Sequence, residues 1–226
     1  MSRGLFVTGT GTDVGKTYVT ALLAKKMKEA GYKLGYYKAA LSGADMIEDS
    51  DAGFVNRIGN LEQEKETLLS YLYEHAVSPH LASKLEGNPV EKEVVIDGFH
   101  KVASTHDYVV MEGSGGIVCP IRYDADHVYL LEDIIHWCHL PALIVADAGL
   151  GTINSVVLTV EYMRSRHIPV KGIILNHYAG GVMEEDNIYM IEQLTGVSVL
   201  GLVKAGDTEL DIDPSLLANL FDDVSK

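Results

Sequence analysis

The sequence has almost no cysteine, no long apolar run and too few basic side chains to balance its acids. Cys119 and Cys138 are the only two cysteines in 226 residues. A chain of this length buries a core that needs no disulfide staples, and two distant thiols fit a reducing compartment. Lysine and arginine number 18 against 32 aspartates and glutamates, a formal net charge of −14. That balance argues against nucleic acid or an anionic membrane as a partner. No apolar stretch approaches the roughly 20 residues of a membrane span. The chain enters an apolar run at Leu5, and no signal peptide is expected. The expectation is a soluble cytoplasmic protein. No repeat, low-complexity tract or linker breaks the chain, so residues 1–226 are expected to form a single domain.

Two kinds of site are also missing. Ser114, in the run Glu112-Gly113-Ser114-Gly115-Gly116, lacks the G-x-S-x-G elbow of a nucleophile. His136-Trp137-Cys138-His139 crowds into one helical turn, with no second cluster at zinc spacing.

What stands out is residues 9–17, G-T-G-T-D-V-G-K-T, between an apolar strand-like run (Leu5, Phe6, Val7) and a helical pattern (Val19, Leu22, Leu23, Met27). A glycine-rich turn from strand to helix, closed by Gly-Lys-Thr, is a phosphate-binding loop. Small residues let backbone N–H groups line one concavity, and the helix start adds partial positive charge. Lys16 would carry charge to the β- and γ-phosphates, and the Thr17 hydroxyl would ligate Mg²⁺. The match to G-x-x-x-x-G-K-S/T is imperfect: Thr10 stands where the pattern wants glycine, and Gly9 sits one place early.

The remaining chain alternates short apolar runs with amphipathic segments. Strands are expected at 34–37, 108–111, 142–146, 172–175 and 199–203. Helices are expected up to residue 30 with Gly31 as a stop, and over 61–76, 90–103, 128–139, 154–166, 184–194 and 214–221. Ser78-Pro79-His80 is read as a helix breaker. Short strands apolar on both faces and separated by helices predict an α/β fold of the P-loop NTPase type, mostly a parallel sheet with helices on both faces. Ligands in such sheets bind beyond the carboxyl ends of the strands. Lys38, Glu112, Asp147 and Asn176 all follow apolar runs there.

Each of these residues has a plain alternative. Glu112 fits the acid that approaches Mg²⁺, with Asp13 and Asp51 as further candidates; Asp51 reads equally well as a first-turn helix acid. Lys38 would neutralise a transferring phosphoryl group or bind an anionic substrate, or it snorkels at the surface. Gly151-Thr152-Ile153-Asn154 opens a helix whose N–H groups would hold a carboxylate, or Thr152 or Asn154 simply caps it. Asn176 has the donor and acceptor to read an adenine edge, or it is a turn residue.

The ordered set resembles the dethiobiotin synthetase family. It comprises the loop through Thr17, Tyr37-Lys38, Ser42-Gly43, Ser50-Asp51-Ala52, Ser78-Pro79-His80, Glu112 to Gly116, Gly149 to Asn154, Asn176 and Tyr189-Met190. The resemblance runs from about residue 4 to about residue 203, and the early first glycine is itself a family feature. It implies ATP and Mg²⁺, with 7,8-diaminopelargonate and CO₂ (or bicarbonate) as substrates, in a homodimer with substrate near the subunit interface. One amine captures CO₂ as a carbamate, the carbamate attacks the γ-phosphate, and the second amine closes a cyclic urea and releases phosphate. Carried over by position, Gly11, Thr12, Asp13, Val14, Gly15, Lys16, Thr17, Glu112, Gly115 and Asn176 would bind nucleotide. Thr17, Asp51, Glu112 and Asp13 would ligate the metal. Lys16, Lys38 and Thr12 would serve catalysis, with Thr12, Lys38 and Ser42 at the carbamate end. Gly151, Thr152, Ile153, Asn154 and Tyr189, from the partner subunit, would hold the far carboxylate. The chain departs from the family at Asp13, often Glu, at Ala39, often Pro, and at Lys204-Ala205-Gly206-Asp207, which lacks a common proline.

Two other readings compete. A glutamine-dependent P-loop ligase would need a further domain with a nucleophilic cysteine. A partitioning-type ATPase would commonly carry a second lysine early in the loop, where this chain has Thr10 and Gly11.

Overall fold

The structure is a computed structural model that describes residues 2–224. Its elements, in chain order, open with β1 (Arg3–Gly9), α1 (Lys16–Glu29), β2 (Leu34–Ser42), α2 (Asp51–Ile58) and β3 (Leu69–Tyr73). Then come α3 (Pro79–Leu85), α4 (Lys92–Ala103), β4 (Tyr108–Gly116), β5 (Pro120–Tyr123), β6 (Val128–Leu130) and α5 (Leu131–Trp137). The chain closes with β7 (Ala142–Asp147), α6 (Thr152–Ser165), β8 (Val170–Asn176), α7 (Val182–Thr195), β9 (Val199–Leu202), α8 (Pro214–Ala218) and β10 (Asp222–Asp223).

Seven strands form one sheet in the order β3-β2-β4-β1-β7-β8-β9, and every neighbouring pair is parallel. The expected P-loop-type α/β architecture is therefore what the chain adopts. β1 is buried on both faces because its residues alternate between two cores. Leu5 and Val7 join α1, α2 and α8 on one side; Phe6 joins α4, α5, α6 and α7 on the other. Each fully buried aliphatic or aromatic side chain contributes about 1.5–3 kcal/mol of transfer free energy.

Several expectations fail, each for a physical reason. The expected helix over 61–76 is not one: it contains a short 3₁₀ turn and the edge strand β3. Its Glu and Leu content suits a helix, but Tyr71 and Tyr73 share one face of the strand with stacked rings 6.1 Å apart, and β2 supplies the ladder. Pro79 does not end a helix but starts α3 at its first position, where its missing N–H costs nothing. The expected helix over 128–139 begins only at Leu131, because the Asp133 carboxylate accepts from the Leu130 N–H at 2.6 Å and caps the turn there. Val128–Leu130 instead pairs with β5 in a hairpin. β10 closes the chain antiparallel to Arg3 and Gly4, ahead of Phe6, where β7 begins to pair with β1.

β2 and β4 both outrun their expected ends. β2 pairs with β4 up to Tyr37 and with β3 from Lys38 to Ser42. Lys38 and Glu112 are thus interior strand residues and not strand ends. Period-two alternation puts Tyr36, Lys38, Val110 and Glu112 on the sheet face that carries α1 and α2.

Candidate active site

Beyond the carboxyl end of β1 the chain turns through the glycine-rich loop and enters α1 at Lys16. Gly15 sits at φ +88°, and a Cβ there would lie 2.0 Å from Nδ2 of Asn176, so backbone shape and close approach both demand glycine. That Nδ2 donates to the Val14 carbonyl at 3.1 Å, tying the end of β8 to the loop. Asp13 adopts φ 61°, left-handed without being glycine, and its side chain is exposed. Lys16 curls back, its Nζ donating to the Gly11 carbonyl at 3.0 Å. Burial pulls its pKa below the ordinary lysine value, an effect that Glu112 opposes and Lys38 reinforces.

Four side chains meet beneath this loop. Thr17 Oγ1 donates to Glu112 Oε1 at 2.8 Å. Lys38 Nζ donates to the same oxygen at 2.8 Å and to Asp51 Oδ2 at 2.7 Å. Glu112 and Lys38 are buried, and the Asp51 side chain is half exposed to the cleft. Burial works against the Lys38 charge, yet Glu112 and Asp51 hold its pKa above the ordinary lysine value. Burial likewise works to raise Asp51, and Lys38, Thr17 and Lys16 together hold it below the usual carboxylate range. Both sequence readings of Asp51 hold at once. It is the first residue of α2, behind an N-cap at Ser50, and its carboxylate also reaches Lys38.

These oxygens suit a magnesium ion. Thr17, Asp51 and Glu112 present one hydroxyl and two carboxylates, all hard donors, and a cation, the Lys38 ammonium, already lies against both carboxylates. The cleft above them, about 980 Å³, is lined by Thr12, Asp13, Gly15, Lys16, Thr17, Lys38, Ser42, Asp51 and Gly115 among others. That is the upper end of the size range of small-molecule sites. Ser42 lines it, though its hydroxyl already donates to the Val77 carbonyl at 2.6 Å. Cys119 lines it too; burial pushes its thiol up to about 11, against the pull of Lys16.

Other expected site residues lie elsewhere. Gly151, Thr152, Ile153, Asn154 and Tyr189 do not line this cleft. They sit where β7 passes into α6 and on α7, beside the exposed Leu150, Leu158 and Val182. Thr152 is buried and its hydroxyl is unpartnered among the described residues. Asn176 is buried at the end of β8, and its Nδ2 also donates to His177 Nε2 at 3.1 Å. His177 Nδ1 in turn donates to Asp147 Oδ2 at 2.8 Å. Sequence reasoning passed over two residues around Glu112 and Lys38. Tyr36 could have been found two places before Lys38 on the same strand face; Gln63, in a loop, carried no signal.

The chain is similar to known proteins in sequence and in fold. The AAA domain family matches residues 3–207. The ATP-dependent dethiobiotin synthetase BioD of Brachyspira hyodysenteriae is 51% identical over 212 residues, 93% of this chain and 96% of that one. Its namesake from Clostridium botulinum is 40% identical over 227 residues, 98% of this chain and 99% of that one. Among solved structures, a ParA family ATPase from Chlorobium tepidum superposes with a TM-score of 0.55 at 17% identity, covering 91% of this chain and 84% of that one. MinD from Pyrococcus horikoshii, complexed with Mg-ADP, gives 0.53 at 14% identity, covering 90% and 82%. At such identities the two structures speak for the fold alone.

Proposed function

The chain belongs to the dethiobiotin synthetase family, and from that membership we propose that it is the ATP-dependent ligase that closes the ureido ring of dethiobiotin. The substrates are 7,8-diaminopelargonate, CO₂ and ATP; the products are dethiobiotin, ADP and phosphate. The observation that supports this best is the meeting of Thr17, Lys38, Asp51 and Glu112 under a phosphate-binding loop. A carbamate and a triphosphate are both anionic, and bringing them together needs fixed positive charge.

In this reading the loop N–H groups of Gly11 to Lys16 cradle the phosphates, and Lys16 turns from the Gly11 carbonyl to the γ-phosphate. Thr17, Asp51 and Glu112 hold Mg²⁺, with Asp13 as an outer acid. When bound, Mg²⁺ would supply positive charge against the triphosphate. Lys38 and Thr12 hold the carbamate oxygens in line with the γ-phosphorus, and Ser42 bounds that end of the cleft. No strong general base is required, because a carbamate oxygen is already nucleophilic and catalysis is mostly positioning. Gly115 flanks the phosphates, and Asn176 offers its free oxygen to the adenine amine.

The molecule works as a homodimer. Leu150, Leu158, Val182 and Tyr189 are more than half exposed around the α6–α7 face, an apolar surface that a second copy would cover. Gly151, Thr152, Ile153, Asn154 and Tyr189 of one copy then hold the far carboxylate of substrate in the other copy's cleft. Nucleic acid and membrane have no part in this reading, and the site of action is the cytoplasm. Among the described residues no helix is long and apolar enough to cross a membrane.

The deciding experiment is phosphate release from ATP–Mg²⁺ with and without diaminopelargonate and bicarbonate. The expected result is release that requires both, with dethiobiotin appearing in step. Release indifferent to both would overturn the ligase assignment and leave a P-loop ATPase.

A further inference from the structure

Glu112 has two oxygens, and Thr17 and Lys38 engage only one of them. Oε1 accepts from Thr17 and Lys38, while Oε2 faces the interior, where the Tyr36 hydroxyl donates to it at 3.4 Å. Tyr36 is fully buried, and its phenol, which keeps its proton at neutral pH, is a donor. A carboxylate held from behind by a neutral donor can rotate only by breaking that bond.

Tyr36 is itself clamped. β3 pairs with β2 only from Lys38 onward, so the outward peptide groups of Tyr36 face no strand. The Gln63 side chain stands in for one. Its Oε1 accepts from the Tyr36 N–H at 2.8 Å and its Nε2 donates to the Tyr36 carbonyl at 2.9 Å. Gln63 is in turn held through its own backbone by Asn56, at 3.0 and 3.1 Å. Asn56 lies on α2, the helix that begins with Asp51. A continuous hydrogen-bonded path thus runs from the helix carrying Asp51, through Asn56 and Gln63, to Tyr36 and on to Glu112.

We propose that Tyr36, clamped by Gln63, is a positioning residue that fixes the Glu112 carboxylate, and with it the spacing of Glu112 from Asp51, for divalent-cation binding. The proposal rests on the metal role of Glu112 given above. Partners behind a metal-ligating carboxylate commonly govern affinity by 10–100-fold on the order of magnitude.

The test needs no turnover. ADP binding is titrated by calorimetry over a range of Mg²⁺ concentrations and in EDTA, for the unaltered protein, Tyr36→Phe and Glu112→Gln. Tyr36→Phe is expected to raise the Mg²⁺ concentration for half-maximal enhancement of ADP affinity about tenfold, with ADP affinity in EDTA unchanged. Glu112→Gln should raise it at least as far. An unchanged Mg²⁺ requirement in Tyr36→Phe would overturn the proposal and make Tyr36 an ordinary core phenol. If Tyr36→Phe raised the requirement and Glu112→Gln did not, Tyr36 would not act through Glu112, and the proposal would fall. If neither changed it, the metal role of Glu112 would fail first. Should Tyr36→Phe not fold, Gln63→Met probes the same clamp from outside, and an unchanged Mg²⁺ requirement there would be equally decisive.

Discussion

Lys38 carries a structural burden in its ion pairs and, in the proposed mechanism, a chemical one. Replacing it by alanine leaves Glu112 buried without its ammonium and, in the proposed mechanism, takes a cation from the reaction path. The expected loss of turnover is about 10²–10³-fold, the usual effect of deleting one stabiliser of developing charge. The expected loss of stability is about 3–5 kcal/mol, because the remaining carboxylate is buried and uncompensated. Steady-state rates and a denaturant melt separate the two, and near-full activity would refute the catalytic role. The pH dependence follows from the same ion pair. Asp51 is held low, so its contribution is present above the free carboxylate value of about 4 and is lost as pH falls through its depressed value. Lys38 is held high, so its contribution is complete below about pH 10 and is lost as pH rises through its raised value. Melting temperature should therefore carry no signature of this pair between about pH 5 and 9. The acid limb should be shallower in Lys38→Ala. A matching acid limb in that variant would show that other carboxylates control acid unfolding.

Single local features set where two elements begin. Gly15 lets α1 start against the end of β8, and any side chain there meets Asn176. Gly15→Ala combines that contact with a left-handed φ, and about 1–3 kcal/mol of strain is expected, together with loss of ADP binding. Calorimetric melting and an ADP titration would read both; a variant that kept full ADP affinity would show that the loop can re-form around a side chain. At α5, Asp133 accepts from the Leu130 N–H and divides strand from helix. Asp133→Ala should cost about 1 kcal/mol, the common worth of a cap, with catalysis untouched. A denaturant midpoint that did not move would place the start of α5 under packing control.

At the scale of the whole molecule, the expected site residues fall into two groups that one chain does not bring together. The cleft is lined by loop residues, Lys38 and Asp51, with Glu112 buried behind them against Thr17 and Lys38, while Gly151–Asn154 and Tyr189 lie outside it. If a second copy supplies them, Leu158→Asp should give a monomer by sedimentation, with ligase activity reduced at least about tenfold. Mixing Lys38→Ala with Tyr189→Ala should restore activity beyond either alone, because one mixed cleft is intact. Failure of the mixture to exceed its components would place both groups in the same subunit's site. The superpositions on a ParA family ATPase and MinD do not revive the partitioning reading. They are fold likenesses at 14–17% identity, and the net charge of −14 opposes a DNA or membrane surface.

Local chemistry made much of this legible. Residues 9–17 announce a phosphate loop because glycine, lysine and threonine at that spacing serve few other ends, and short apolar runs between helical patterns imply a buried parallel sheet. The order of motifs was enough to point to the family. Tertiary structure alone decided the rest. The residues 69–73 became a strand because β2 lay beside them, and a neighbour's ladder outweighs intrinsic preference. Glu112 and Lys38 became an interior ion pair because β2 and β4 run on past their apolar cores. Tyr36 and Gln63 gained their roles by contacts spanning 76 and 27 residues, distances over which no local pattern can select a partner.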